Sequence, residues 1–240
     1  MAKKPTIALL TPEIRQSFPA LITPREGIDD EGKKTGKWAY SVEGLFDEDK
    51  LTQFRMYDDA SQKYVNVDIR EALTQLSKTA WPNLDPQALF QGQSGRGWPL
   101  KKGDALKAKR ESKGKKGDHY AGLRVIALKS NVAEGVQPPS LSQQLQGDNY
   151  KKFDRTVDAD MAKAKLLFVG GNYAWAAVSF VANVVSGLHY LTAYMNGVRY
   201  TREGAKFGGQ NEMDRFDGIS GGSAAHNPMQ GMTNSDIVDF

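Results

Sequence analysis

The chain has 240 residues, 40% hydrophobic and 25% charged, which is enough to bury a core without staples. It contains no cysteine. That excludes a disulfide framework, thiolate chemistry, cysteine-type zinc sites and iron–sulfur clusters, and it suits a reducing compartment. The net charge of +4 is unevenly spread: residues 211–240 hold five acids against one arginine, net −4, leaving +8 on the other 210.

Met1-Ala2-Lys3-Lys4-Pro5 precedes an apolar run too short for a signal peptide. Residues 5–24 alternate short apolar runs with Thr and Pro, which predicts a strand, a turn and a second strand with prolines at edges. Residues 25–36 read as a turn. From Gly36 to Phe46, Trp38, Tyr40 and Val42 alternate with Lys37, Ala39 and Ser41, as a pleated strand requires. Asp47-Glu48-Asp49 ahead of Leu51, Phe54 and Met56-Tyr57 predicts a helix with acids in its first turn. Asp68-Ile69-Arg70-Glu71 has capping-box form. Ile69, Leu73, Leu76 and Ala80 continue it as a helical stripe that Trp81-Pro82 stops.

Residues 83–117 lack periodicity and contain six glycines among lysines, predicting a long flexible loop or loose hairpin arm. A strand is expected over 120–130, a polar connection over 131–152 and a short helix within 158–169. The clearest strands are 173–180 and 188–195, with 197–200 as a continuation. Leu166 to Leu191 is interrupted by Gly170-Gly171-Asn172, Asn183 and Ser186-Gly187, so it is not a membrane span. Beyond Gly208-Gly209 the composition predicts disorder. The expected fold is mainly β: an OB-fold-like five-stranded barrel with one or two helices and a long basic loop over 92–118. The expected domains are a folded body, 1–209, and a disordered acidic tail, 210–240. Periodicity alone does not separate an OB-fold from other small barrels.

Residues 96–129 hold eleven Lys/Arg against three acids. A basic body with an acidic tail points to a polyanionic partner. The expected phosphate contacts are Lys101, Lys102, Lys107, Lys109, Arg110, Lys113, Lys115 and Lys116, with Arg124 on the next strand. Single-strand binders also need ring faces on which bases stack, each worth about 1–3 kcal/mol. The candidates on strands are Trp38, Tyr40, Tyr120, Tyr173, Trp175 and Tyr194, and Trp98 is the candidate inside the basic loop. Core packing is the competing explanation for every strand aromatic. The last residues place Asp236 and Asp239 beside the C-terminal Phe240, a ring and a carboxylate together, which suits capture by a partner protein.

Catalysis has little to stand on. The acidic clusters Asp154/Asp158/Asp160 and Asp29/Asp30/Glu31 read as cap and turn residues, and His119, His189 and His226 lack zinc spacing. No phosphate-loop, nucleophile-elbow or dinucleotide pattern occurs. No cofactor, metal or catalytic residue is expected. A basic-loop module that binds RNA or an acidic protein is the alternative reading.

Thr6-Ile7-Ala8-Leu9-Leu10-Thr11-Pro12 with Ser17-Phe18-Pro19-Ala20-Leu21 resembles the start of phage single-stranded-DNA-binding proteins of the OB-fold type. Gly36-Lys37-Trp38 through Leu45-Phe46-Asp47, Gly171-Asn172-Tyr173-Ala174-Trp175-Ala176-Ala177-Val178, and Gly197-Val198 through Phe207-Gly208-Gly209 are similar to later segments of that family, in the same order. The resemblance spans most of the chain except 83–118 and 130–165. It implies sequence-independent coating of single-stranded DNA in phage replication, recombination and repair, without catalysis, in the cytoplasm of the infected bacterial host. It also implies a tail that recruits replication proteins (polymerase, helicase or primase), and it leaves a homodimer open. The long lysine arm departs from the compact form of the family.

Overall fold

The computed structural model describes residues 4–28, 33–86, 97–147, 149–185 and 187–207. These residues form strands β1 (Thr6–Leu10), β2 (Ile14–Ile28), β3 (Lys34–Phe46), β4 (Phe54–Asp58), β5 (Lys63–Val67), β6 (Leu100–Lys102), β7 (Arg124–Asn131), β8 (Ser140–Gln144), β9 (Tyr150–Lys152), β10 (Tyr173–Val185) and β11 (Leu188–Arg202). The helices among them are α1 (Ile69–Ala80), α2 (Gly103–Glu111) and α3 (Asp158–Leu167). The mainly-β expectation holds.

Five strands form a closed ring, β10–β2–β3–β7–β11 and back to β10. The β10–β11 hairpin is its longest ladder, from Tyr173↔Arg202 to Val185↔Leu188. The alternation read in the sequence is its cause: Ala174, Ala176, Val178 and Phe180 point inward and are buried, while Tyr173, Trp175, Ala177 and Ser179 face outward. The ring's weakest seam lies between β7 and β11, which share the single parallel pair Tyr194↔Lys129. The chain from Gly97 to Lys102 fills this seam. The Leu191 amide donates to the Gly97 carbonyl at 2.9 Å, and β6 pairs with β7 from Leu100↔Ile126 to Lys102↔Arg124.

Outside the ring, β1 pairs with β10, β4 with β1 and β5 with β4 on one flank. On the other flank β8 pairs with β11, in parallel, and β9 with β8. The outer surface thus runs without a break through β5–β4–β1–β10–β11–β8–β9. Helix α1 forms where the sequence predicts it. The Asp68 carboxylate accepts from the Arg70 amide at 2.8 Å, and Ile69, Leu73 and Leu76 bury the apolar stripe. Pro19 and Pro24 lie in the β2–β3 register breaks between Ser17 and Ala20 and between Ala20 and Arg25, where no ladder donor is needed. Phe18, before Pro19, has φ +46°, a left-handed conformation uncommon outside glycine.

Three expectations are corrected. The helix expected after Asp47 is a 3-10 turn, Glu48–Thr52, followed by β4, in which Phe54 is buried and Arg55 and Tyr57 face outward. The long basic loop holds β6 and α2, joined at Gly103. A Cβ there would collide with the Tyr120 carbonyl and lie 2.7 Å from that of Leu123, so the site takes only glycine. The polar connection over 131–152 contains β8 and β9. The expected tail, with Asp236, Asp239 and Phe240, lies outside the described residues.

Candidate nucleic-acid interface

The register of the outer surface brings distant residues into rows. Asn66, Arg55, Leu10, Ala177, Gly197 and Ser140 follow one another across six strands, β5 to β8. Two residues along the strands, Trp175 pairs with Arg199, Arg199 with Ser142 and Ser142 with Lys152. Tyr57 faces Tyr64 beyond Arg55, with ring centroids 5.4 Å apart, edge to face.

The centre of this surface is a groove of about 420 Å³. Small residues make its floor: Ala177, Gly197 and Ser140. Gly197 keeps the floor low: a Cβ there would press on the Ser140 hydroxyl and lie 3.2 Å from the Ser140 carbonyl. The walls are Trp175, Tyr64, Arg55 and Arg199. The Arg55 guanidinium lies 5.7 Å from the Trp175 ring centroid, and that of Arg199 lies 4.0 Å from the ring of Tyr150, which is 53% exposed. Among the described residues, no carboxylate lines the groove or lies within ion-pair distance of Arg55 or Arg199. The site therefore offers ring faces and uncompensated guanidinium groups side by side, over a floor low enough for a flat group to approach. At its edge the Arg202 guanidinium sits 3.5 Å from the Tyr173 ring centroid and pairs with Glu13 at 2.7 Å.

Of the aromatics singled out in the sequence, Tyr173, Trp175 and Tyr194 share this surface, Tyr194 opposite Ser179. Trp38 is 48% exposed but stands on β3, opposite Glu26 and outside the groove. Tyr40 packs on the core, beneath the guanidinium of Arg155 at 5.0 Å. Two candidates are corrected outright. Trp98 is 3% exposed, because the seam-filling chain turns it into the core. Tyr120 is 1% exposed in a small second core with Leu45 and Val125, and its hydroxyl donates to the Glu43 carboxylate. Burial first, then the Glu43 charge, pushes the Tyr120 phenol up.

The basic residues divide similarly. Lys109, Lys113, Lys115 and Lys116 are exposed on α2 and the turn after it, and Lys102 is exposed on β6. Lys101 is half-buried. Lys107 is held by Asp118 at 3.1 Å and Glu111 at 3.7 Å, and Arg124 by Glu48. Arg110 lies 4.6 Å from the Phe18 ring centroid and donates to the Lys116 carbonyl. None of these lines the groove. The groove's own cations, Arg55 and Arg199, and the exposed Tyr57, Tyr64 and Tyr150 are not among the residues that the sequence singles out. The alternation Phe54-Arg55-Met56-Tyr57 is the signal that finds the first of them.

Arg110, in the last turn of α2, belongs to a second ring cluster. His119 lies between Phe18, Tyr120 and Phe207, with ring centroids 5.7, 4.1 and 4.6 Å away. Burial, then Arg110 and Arg15, hold the His119 imidazole below its ordinary range, against a smaller opposing pull from Asp118. The unfolded chain thus binds this proton first, and stability falls as pH drops from the ordinary histidine range through the depressed one. Thermal melts between pH 8 and pH 5 are expected to lose stability in that window, and His119→Phe is expected to flatten that part of the loss. An unchanged profile in the variant removes His119 as its cause.

No known family model matches the chain, and no curated protein matches it by sequence. Solved structures do match. The fold is similar to that of the single-stranded DNA-binding protein from bacteriophage Enc34, with TM-score 0.53 and 14% identity over 90% of this chain and 97% of that one. The same phage protein in complex with single-stranded DNA gives TM-score 0.52 and 14% identity over 87% and 96%. Its C-terminal truncation gives 0.53 and 12% over 86% and 95%. At these identities the likeness is one of fold.

Proposed function

We propose that this protein binds single-stranded DNA without reading its sequence, holding bases against Trp175, Tyr64 and neighbouring rings while Arg55 and Arg199 pair with phosphates. The groove carries this reading: stacking faces and guanidinium groups adjoin on one continuous sheet surface, with no carboxylate among the described residues of its lining. Duplex bases keep their faces inside the stack, so a ring platform selects single strands, and every base has a face to offer. The solved complex of the Enc34 protein with single-stranded DNA supports the reading, as does the shared fold. The biological setting we infer is phage DNA replication, recombination and repair in the cytoplasm of the infected bacterium, as a coating protein rather than an enzyme. Cleavage or joining of labelled DNA with Mg²⁺ would contradict that last point.

The exposed lysines Lys109, Lys113, Lys115 and Lys116 extend the cationic surface beyond the groove. The acidic end with Asp236, Asp239 and Phe240 is assigned to recruiting replication proteins and, in the free protein, to competing with DNA for that surface. Deleting residues 233–240 is then expected to tighten DNA binding about two- to tenfold at low salt, an effect that fades as salt screens it. The same deletion is expected to abolish partner capture. If it changes neither, the tail has no such role. The binding reading itself is tested by titrating oligothymidylate, duplex DNA and RNA of equal length against salt. Single-stranded DNA is expected to win clearly, with a steep salt dependence. Equal affinity for duplex removes the stacking platform from the account, and a preference for RNA moves it to the alternative ligand.

A further inference from the structure

A second concavity, of about 590 Å³, adjoins the groove across β8 and shares Ser140 with it. Pro138 and Pro139 form a rigid apolar wall, and Gln137 and Asn196 bring side-chain amides. Lys152 and Arg155 bring two cations. Lys152 is exposed on β9, opposite Ser142, while Arg155 is half-buried. No carboxylate among the described residues pairs with Arg155, whose guanidinium donates to the carbonyls of Leu21 and Pro139, both at 2.9 Å. Asp154 also lines the space, and its carboxylate accepts from the amide and hydroxyl of Thr156 at 2.9 and 2.7 Å.

Resting on the groove reading, we propose that this concavity is a subsite for the next nucleotide of the same strand, which crosses the sheet over Ser140 rather than following the β10–β11 hairpin. Neighbouring strands are about 4.8 Å apart, so β8 is a narrow step between the two spaces. The proline wall and the amides suit a base of any kind: the wall gives a flat apolar contact, and the amides both donate and accept. Lys152 faces the phosphate. Arg155 supplies positive potential, and its carbonyl bonds also tie the pocket's loop to β2, so a variant there would perturb the fold as well as the site.

The test uses the full chain and oligothymidylates lengthened one nucleotide at a time. The wild-type affinity is expected to step upward at the length that fills the subsite. In Lys152→Ala, and more so in a Gln137→Ala/Lys152→Ala double variant, that step is expected to shrink about three- to fivefold. The salt slope for the longer oligomers is expected to fall by about 0.7, one phosphate's worth on a single strand. Both side chains are exposed, so unchanged thermal melts are expected. A step that persists in the variants overturns the subsite, as does an equal loss at every length. If the wild type binds no oligomer of any length, the groove reading fails first and the subsite with it.

Discussion

Replacing Trp175 with alanine is expected to weaken oligothymidylate binding by roughly 5- to 150-fold, the loss of about 1–3 kcal/mol for one base–aromatic stack. The side chain faces outward from β10, and its inward neighbours Ala174 and Ala176 carry the core packing. The folded state should therefore survive the change, with its cooperative thermal transition intact. Trp175→Phe keeps a ring face and should recover most of the affinity. Arg55 gives the effect a second handle: its guanidinium approaches the ring, so Arg55→Ala should lower both affinity and salt slope. Undiminished binding by the Trp175→Ala protein would remove this groove from the binding path.

Trp98 makes the opposite case. Trp98→Ala is expected to cost about 3–5 kcal/mol of stability, the usual penalty for emptying a large aromatic site in a core. For a chain of this size that lowers Tm by roughly 6–20 °C. The effect should be on folding, with the DNA affinity of the remaining folded protein retained. The seam explains the sensitivity. Between β7 and β11 the ladder is a single residue pair, and the Gly97–Lys102 segment with Trp98 beneath it fills the rest. A large loss of affinity without a loss of stability would return Trp98 to the stacking role its sequence context suggests.

These two tryptophans show what the sequence reveals and what it hides. Trp175 lies in a clean alternation whose small inward residues announce a strand with one dry face. Trp98 lies among glycines and lysines, and only a long-range gap in the sheet makes its position part of the core. Helix α1 was legible because Asp68, Glu71 and the apolar stripe agree. Strand β4 reads as a helix in the sequence because Asp47–Asp49 imitates a helix start, and five residues are too few for the period to decide. Strands β5, β8 and β9 are hard to read in the sequence because they are short and mostly polar. They carry polar or exposed residues and bury little, Leu141 being their one fully buried side chain. A short polar strand looks like a loop until its pairing partners are known.

On the proposed reading the sheet groove, rather than the basic helix, seats the bases. Photo-crosslinking with an oligonucleotide carrying 5-iodouracil, followed by mapping of the joined peptides, tests it most directly. Crosslinks are expected at Trp175 and at Tyr64, Tyr57 or Tyr150. Crosslinks confined to residues 101–118, with none on β4, β5, β9 or β10, would contradict it.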